Sequence, residues 1–247
     1  MSERFSRTER MLGSAAMERL KKAKVAVFGV GGVGGYSAEA LARAGVGAID
    51  VIDGDTIAES NINRQIYALS STIGKFKADV AAERIKDINS DCIVNAFRIF
   101  YTPENAADFD FKGYDYIVDA VDTVTAKLSI AQNAQNAGVP IISVMGAGNK
   151  LDPTAFKVAD VSRTSICPLA RVMRTECKKR GIKNLKVVYS EETALKPLQP
   201  ATGFASSERD ALRRNVPASN SFVPPVAGFI AAGEVIKDLI KTAGGQK

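Results

Sequence analysis

A short apolar segment followed by a glycine-rich turn restricts the fold of this chain more than any other feature. Lys24–Phe28 is apolar after its first residue, and the turn GVGGVGG, residues 29–35, follows it directly. The turn leads into a helix-forming segment that Gly45 would end, and a second apolar strand, Ala48–Asp53, comes next. This order of strand, glycine turn, helix, strand and acid predicts a nucleotide-binding half of a parallel α/β sheet.

Strand and helix patterns alternate as far as residue 145. An amphipathic helix around Glu9–Leu20 precedes the first strand, and a polar loop, Gly54–Gln65, follows the second. Beyond the loop we predict helices and strands at Lys75–Ile88, Ile93–Ile99, Tyr114–Ala120, Thr125–Ala137 and Val139–Val144. The predicted fold class is α/β, with a Rossmann-like, doubly wound and mostly parallel sheet.

The pattern changes beyond Gly148, where seven prolines interrupt shorter elements. A helix is expected from Pro168 to Gly181, because proline is favoured in the first turn of a helix. A length of 247 residues favours one elaborated domain over two equal ones. We therefore assign residues 1–150 to a nucleotide-binding core and residues 151–247 to a smaller, irregular C-terminal extension of the same domain.

Composition excludes several classes of function. The chain contains no histidine, which rules out Ser-His-Asp and Cys-His catalysis and leaves few ligands for zinc. Its three cysteines are widely spaced and form neither a zinc-binding CxxC pair nor a disulfide framework. No apolar run reaches the roughly 18 residues of a membrane span, and the charged amino terminus lacks a signal core. We expect a protein of the reducing cytoplasm.

Basic residues are concentrated in one part of the chain. Residues 161–200 contain nine Lys and Arg against three Asp and Glu, whereas residues 1–160 contain 18 against 20. On the helix predicted after Pro168, Arg171, Arg174 and Lys178 share one stripe. Such a surface indicates a polyanionic partner, with a merely solvated helix face as the alternative.

Polar residues after the second strand favour ATP over a dinucleotide. Asp53 is placed to bind ribose hydroxyls, which both ligands carry. A triphosphate has about four negative charges and needs side-chain cations and usually Mg²⁺, whereas backbone N–H groups largely satisfy a pyrophosphate. The side chains that fit a triphosphate are Asp55, Asn61, Arg64, Gln65, Lys77, Asp119 and Asp122. Each of three residues also has a structural interpretation when it is taken singly. Asp122 could cap a helix, Asp119 could be a hydrogen-bonded strand end, and Lys77 could lie on an exposed face.

Several motifs make the chain similar to the ThiF/MoeB/HesA superfamily, the bacterial relatives of ubiquitin-activating enzymes. They are RFSR (residues 4–7), GVGGVGG, IDGDTIAESNINRQ (52–65), GKFK (74–77) and DAVD (119–122). Within the superfamily the chain resembles the tRNA threonylcarbamoyladenosine dehydratases, through NRQIYAL (63–69), AAERIKDIN (81–89), MGAGNKLDPT (145–154) and YSEETAL (189–195). The resemblance covers nearly the whole chain.

The resemblance implies adenylation chemistry. A carboxylate attacks the α-phosphate of ATP, pyrophosphate leaves, and a nucleophile captures the mixed anhydride. In these dehydratases the carboxylate belongs to the threonyl group on the modified adenosine at position 37 of tRNA, and the capturing group lies in the same modification. A ring closes and water is lost overall, so a chain without histidine can perform this reaction.

The resemblance also implies ATP and Mg²⁺ as cofactors and a set of site residues. Asp53 and Asp55 would hold the ribose region, with Asn61 also binding the nucleotide. Four glycines would lie under the nucleotide, namely Gly29, Gly31, Gly32 and Gly34. The implied catalytic residues are Arg64 and Lys77 on the phosphates, Asp122 on the Mg²⁺, and Arg7, or else Arg10, reaching the triphosphate from the partner subunit of a homodimer.

With tRNA as substrate, the basic stripe becomes the predicted tRNA surface, formed by Arg171, Arg174, Lys178 and Lys179. Residues 151–247 would then serve substrate binding and dimerisation, while residues 1–150 form the ATP-binding adenylation core. No membrane contact is expected.

Three other functions stay open. One is an adenylyltransferase that activates the C-terminal Gly-Gly of a ubiquitin-like sulfur carrier, although the paired CxxC motifs usual there are missing. The others are a nucleotide-binding scaffold, for instance in a cysteine desulfurase system, and an NAD oxidoreductase. Some dehydratases carry a cysteine in the last third, where this chain has Ser219–Phe222. Cys167 is predicted to be a structural thiol, with a role as acceptor as the alternative.

Overall fold

The computed structural model describes residues 3–198 and 217–241, and one sheet crosses this part of the chain. Its seven strands are β1 (Lys24–Phe28), β2 (Ala48–Ile52), β3 (Ile93–Phe97), β4 (Tyr116–Asp119), β5 (Ile141–Val144), β6 (Phe156–Asp160) and β7 (Lys186–Ser190). The strand order is β3-β2-β1-β4-β5-β7-β6. Every neighbouring pair is parallel except β6 with β7.

Seven α-helices accompany the sheet within the described residues. They are α1 (Ser6–Leu12), α2 (Ser14–Lys22), α3 (Gly34–Ala44), α4 (Lys77–Ile88), α5 (Val124–Ala137), α6 (Pro168–Arg180) and α7 (Val223–Lys241). The helices α3, α5 and α6 each end at a glycine in the left-handed conformation, as the sequence predicts for α3 and α6. No helix in residues 3–198 and 217–241 is long and apolar enough to cross a membrane.

The predicted doubly wound, mostly parallel sheet is confirmed. Each strand and helix predicted between residues 24 and 144 is present, with ends that differ by a few residues. The helix predicted at Glu9–Leu20 is instead two helices, α1 and α2, because Gly13 between them has a φ of 83°. A residue with positive φ interrupts the helical hydrogen bonds, so the chain turns there.

The sheet separates two layers of apolar packing. Side chains along β1 alternate between them, since Val25 and Val27 join a core with α3, α4 and α7, whereas Phe28 packs on the other face. Its ring there stacks on Phe111 with centroids 5.9 Å apart and meets Tyr101 edge-on at 5.1 Å. This alternation is the period of two that a strand buried on both faces requires.

The C-terminal part adds elements that the sequence patterns did not single out. Strands β6 and β7 extend the sheet, and the 19-residue helix α7 packs on α3. A Cβ on Gly228 of α7 would lie 2.3 Å from the Val33 carbonyl oxygen, so only glycine permits this approach. The last apolar run of the chain, too interrupted for a membrane span, is therefore a core helix.

The glycine turn after β1 brings helix α3 close to the strand it follows. A Cβ on Gly34 would lie 1.8 Å from the carbonyl oxygen of Gly29 and 3.1 Å from the Ala120 side chain. Because the closest contact is with backbone, no side-chain movement could relieve it. Gly34 therefore fixes the packing of α3 against β1 and β4.

We expect Gly34→Ala to destabilise the fold by about 3 kcal/mol, because its Cβ would overlap rigid backbone. The matched control is Gly233→Ala in α7, where a Cβ would meet nothing within 4 Å. Alanine there should stabilise the helix by about 0.5–1 kcal/mol. Urea denaturation measures both changes, and equal effects of the two substitutions would contradict the close-packing role of Gly34.

Candidate functional site

A cavity of about 470 Å³ lies at the carboxyl ends of the central strands. Gly29 follows β1 on its wall, Asp53 follows β2, Ala120 follows β4 and Met145 follows β5. The strand order changes direction between β1 and β4, which is where open α/β sheets bind ligands. The volume is in the usual range of ligand sites, about 300–1,000 Å³.

Asp53 organises the glycine turn. Its carboxylate accepts hydrogen bonds from the backbone N–H groups of Val30 and Asp55, both at 2.9 Å. Burial raises the pKa of Asp53 above its usual value, and nearby Lys77 partly opposes that shift. Two carboxylate oxygens offer about four acceptor positions, so capacity for ribose hydroxyls remains after these two bonds.

Lys77 lines the cavity and forms a salt bridge with Asp55. Its Nζ lies 2.9 Å from Asp55 Oδ2, and its backbone N–H donates to the Asp55 carbonyl at 3.0 Å. The Lys77 side chain is 8% exposed, so its charge acts across a poorly solvated space. Both residues of the pair line the cavity, as the motif predicts.

Arg64 also lines the cavity, next to Gly32 of the turn. Its Nη1 donates to Ser60 O at 3.1 Å and to Asn63 Oδ1 at 2.9 Å. These bonds tie the arginine to the loop between β2 and α4 and limit its conformational freedom.

Two residues that were predicted to bind the nucleotide lie behind the cavity wall and do not line the cavity. Asn61 is 1% exposed, and its Oδ1 accepts from the Ala58 N–H at 3.2 Å, which holds the short 3₁₀ turn Glu59–Asn61. Gly34 serves the helix packing described above. The other three predicted glycines, Gly29, Gly31 and Gly32, all line the cavity, as does Gln65.

Asp122 also lines the cavity, just before helix α5. Within residues 3–198 and 217–241, no group of three or more Cys, Asp and Glu side chains is arranged to hold a metal ion. A single carboxylate still fits Mg²⁺, since that ion commonly takes one or two protein carboxylates and completes its shell with phosphates and water. The Asp122 carboxylate therefore suits a Mg²⁺ ion that binds together with the phosphates of a nucleotide.

A buried lysine that the sequence analysis missed joins two walls of the cavity. Lys127 Nζ lies 3.1 Å from Asp119 Oδ2 and donates to the Val144 carbonyl at 2.8 Å and to Ser143 Oγ at 3.3 Å. Asp119 also accepts from Ser143 Oγ at 2.5 Å and from the Val121 N–H at 3.2 Å. Asp119 is thus a hydrogen-bonded strand end, the alternative that its sequence position left open.

Lys127 supports the cavity wall from inside the protein. Its side chain is 1% exposed and that of Asp119 is fully buried, so the pair contacts no ligand. It holds together the ends of β4 and β5, from which the wall segments with Asp122 and Met145 continue. One signal was available in the sequence, because α5 contains no charged residue besides Lys127.

A second missed wall comes from a distant part of the chain. Pro217, Ala218 and Ser219 line the cavity. Asn149 binds this segment twice, since its N–H donates to Ala218 O at 2.8 Å and its Oδ1 accepts from the Ala218 N–H at 2.7 Å. Asn63 Nδ2 donates to Ser219 O at 3.2 Å from the other side. No sequence pattern indicated this contact.

The basic helix α6 begins at the cavity and runs away from it. Leu169 lines the cavity, whereas Arg171, Lys178 and Lys179 are exposed. Arg174 differs from them, because its Nη1 donates to Thr164 O and Oγ1, both at 2.7 Å. Lys179 is exposed but also pairs with Glu176 Oε1 at 2.8 Å. Of the four predicted tRNA-binding residues, Arg174 thus has an intramolecular role and the other three lie on the surface.

Arg7 and Arg10 belong to α1 and do not line the cavity of their own chain. All three cysteines are buried and free. Burial raises the pKa of Cys92 and Cys177 to about 11, and Cys167 is 2% exposed at the start of α6. These placements agree with structural thiols.

Comparison with known proteins gives the family. The model of the ThiF family matches residues 5–246. This chain belongs to the ThiF family. It is 43% identical over 244 residues to the tRNA threonylcarbamoyladenosine dehydratase of Bacillus subtilis, covering 98% of this chain and 96% of the relative. It is 34% identical to the enzyme of the same name from Escherichia coli, covering 99% and 96%.

The fold of this ThiF family protein is also that of a solved relative. The crystal structure of Escherichia coli tRNA N6-threonylcarbamoyladenosine dehydratase, TcdA, in complex with ATP superimposes with a TM-score of 0.86. That match is 34% identical in sequence and covers 98% of this chain and 95% of TcdA.

We expect Lys127→Met to destabilise this ThiF family protein by about 3–5 kcal/mol, because it leaves the Asp119 charge buried without its partner. The double variant Lys127→Met with Asp119→Asn removes both charges and should be less destabilised than Lys127→Met alone. Urea denaturation of the wild type and of the single and double variants gives the coupling free energy. Additive losses would contradict the pairing.

Proposed function

We propose that this protein catalyses the ATP-dependent dehydration of N6-threonylcarbamoyladenosine at position 37 of tRNA, by adenylation of the threonyl carboxylate. The observation that carries the proposal is the lining of a single cavity by the glycine turn, Arg64, Lys77 and Asp122. Those are the groups that a triphosphate needs. The full-length similarity to proteins named as tRNA threonylcarbamoyladenosine dehydratases supplies the substrate class.

The chain's own residues supply two parts of the adenylation step. The first is positioning, in which the backbone N–H groups of the glycine turn and the Asp53 carboxylate orient the nucleotide. The second is charge stabilisation by Arg64 and Lys77 as the carboxylate attacks the α-phosphate and negative charge grows on the phosphate oxygens. Each cation at roughly 4 Å contributes about 4 kcal/mol at an effective dielectric of about 20.

Ring closure places few demands on the protein. The group that captures the acyl-adenylate belongs to the same modified nucleoside, so holding that nucleoside in a folded conformation brings the two ends together. This agrees with a cavity whose walls come from several separated segments and carry no histidine. Asp122 is the residue proposed to hold Mg²⁺, which would neutralise phosphate charge when bound.

The exposed residues of α6 are proposed as the tRNA surface, together with Arg174 as the residue that positions the start of that helix. Leu169 on the first turn lines the cavity, Arg171 follows it two residues later in the chain, and Lys178 and Lys179 lie two turns beyond Arg171. Cations arranged in this way can follow phosphates outward from a nucleoside in the cavity.

A homodimer in which Arg7 reaches the partner's triphosphate is part of the proposal. Exposed apolar side chains lie on segments that continue from the cavity wall, among them Ile62, Phe222 and Phe229. Phe229 packs edge-on against Tyr36 with centroids 5.5 Å apart, so the exposed ring belongs to an ordered surface. Such a surface beside a site is suited to contact with a second copy. We place the enzyme in the cytoplasm, with its tRNA substrate.

The test is incubation with ATP, Mg²⁺ and tRNA that carries linear threonylcarbamoyladenosine, followed by gentle digestion and mass spectrometry of the nucleosides. Loss of one water only when ATP is present is the expected result. An intact nucleoside despite bound ATP would contradict the proposal. Pyrophosphate exchange that depends instead on a small protein ending in Gly-Gly would identify a carrier-protein adenylyltransferase.

Arg64→Ala should lower kcat about 100-fold while changing the stability by less than about 0.5 kcal/mol, because the side chain stabilises charge at a partly exposed site. The matched control is Arg43→Ala, which removes another arginine at the far end of α3, where Arg84 still pairs with Glu39. Its kcat should equal that of the wild type. Single-turnover dehydration assays and urea denaturation distinguish the two effects, and a near-normal rate in Arg64→Ala would exclude it from the catalytic residues.

Replacing Arg171, Lys178 and Lys179 together with alanine should weaken tRNA binding and lower the slope of log Kd against log salt by about 2–3, because each cation that neutralises a phosphate contributes about one. Arg174 is left intact because it bonds Thr164 within the chain. The control triple variant carries alanine at Lys21, Lys22 and Lys86, three exposed lysines on α2 and α4. Filter binding over a range of salt concentrations measures both, and identical slopes for the two variants would reject the surface.

A further inference from the structure

A strained turn three residues before the cavity-lining Leu169 has no part in the nucleotide site. Ile166 has a φ of 58°, in the left-handed region that β-branched residues rarely adopt. The N–H of Cys167 donates to the Ser165 carbonyl at 2.5 Å, which closes a three-residue turn around Ile166. A turn of this kind with positive φ is rare and strained, so neighbouring contacts must hold it.

Both sides of the turn are anchored. Before it, Arg174 donates to Thr164 O and Oγ1, and Ser165 Oγ donates to Glu191 Oε1 at 3.3 Å. After it, the buried Cys167 side chain joins the apolar core under α6. Ile166 itself takes no part in that core and is 59% exposed. The fold thus maintains a strained backbone that presents one apolar side chain in a fixed position.

The position of the turn ties it to the substrate rather than to the nucleotide. Leu169, three residues further on, lines the cavity, and Glu191 directly follows β7 at the same edge of the sheet. Exposed Arg163 and Arg171 lie on either side of Ile166 along the chain. An exposed apolar residue on a fixed turn, three residues before a cavity-lining residue and with exposed arginines before and after it in the chain, suits a ligand that carries both phosphates and uncovered ring faces.

We propose that Ile166 packs against the base of a nucleotide next to the modified adenosine. The inference rests on the function proposed above. When the adenosine leaves its stack and enters the cavity, the face of its neighbour is uncovered. Apolar side chains inserted at such positions take the place of the departed base, and a rigid side chain does so with little loss of conformational freedom. Ile166 is therefore a substrate-positioning residue.

Ile166→Gly gives a test that separates contact from fold. Glycine adopts positive φ without strain, so the variant should have a Tm equal to or above that of the wild type. It also removes the apolar side chain, so KM for tRNA should rise about fivefold, while KM for ATP stays unchanged. Steady-state dehydration assays and thermal unfolding measure the three quantities.

Three comparisons sharpen the test. Ile166→Leu keeps an apolar side chain and should restore KM for tRNA to within about twofold of the wild type. Ile93→Ala removes another exposed isoleucine, 63% exposed at the amino end of β3, and should leave that KM unchanged. The salt dependence of KM should be the same in Ile166→Gly and the wild type, because both carry the same charges, whereas Arg171→Ala should lower its slope by about 1.

The outcomes distinguish this inference from the proposed function. Absence of dehydration by the wild type overturns both. Normal dehydration by the wild type with an unchanged KM for tRNA in Ile166→Gly overturns the Ile166 contact alone. An unchanged KM together with a weakened dimer in sedimentation experiments overturns it too, and assigns Ile166 to an interface between copies of this chain.

Discussion

The contact between helix α3 and the carbonyl of Gly29 is the constraint on which the site depends. Because Gly34 has no side chain, α3 begins close to the end of β1, and the glycine turn between them forms part of the cavity wall. The same packing places Val33 where α7 can approach it through Gly228. A single close backbone contact thus sets the position of the glycine turn relative to β4 and α7.

Polar bonds between distant segments hold parts of the remaining walls. Lys127 fixes the ends of β4 and β5 from below, whereas Asn149 fixes Ala218 at the rim. Bonds of this kind are directional, and a buried ionic pair contributes geometry more surely than stability. An ion pair thus joins the strand ends behind the cavity, and asparagine hydrogen bonds to the main chain hold the segment at its rim.

Local sequence predicted the fold from β1 to β5, and most of the predicted site residues line the cavity. Strand β1, the glycine turn and α3 follow from periodicity and glycine, which act over a few residues. The motifs assign Asp55 and Lys77 to one site, but their ion pair was not predicted, since 22 residues separate them. Asn61 shows the limit of motif reasoning, because its side chain caps a turn behind the wall.

The parts that sequence did not predict depend on contacts between distant segments. Strand β7 owes its place to pairing with β5 and β6, and Lys127 reaches its partners only after β4 and β5 have paired. Ile166 has a conformation that its residue type disfavours, so no propensity could indicate it. Residues 199–216, part of the predicted substrate-binding extension, lie outside the described part of the chain.

The packing of α7 on α3 has a consequence for the order in which the protein matures. Val223, Ala227 and Ala231 belong to the same core as Val25 and Val27 of β1, although about 200 residues of synthesis separate them. While the chain is still emerging from the ribosome, the glycine turn has no support on the face where α7 packs. The core that supports the glycine turn is thus completed late, only after translation has passed α7.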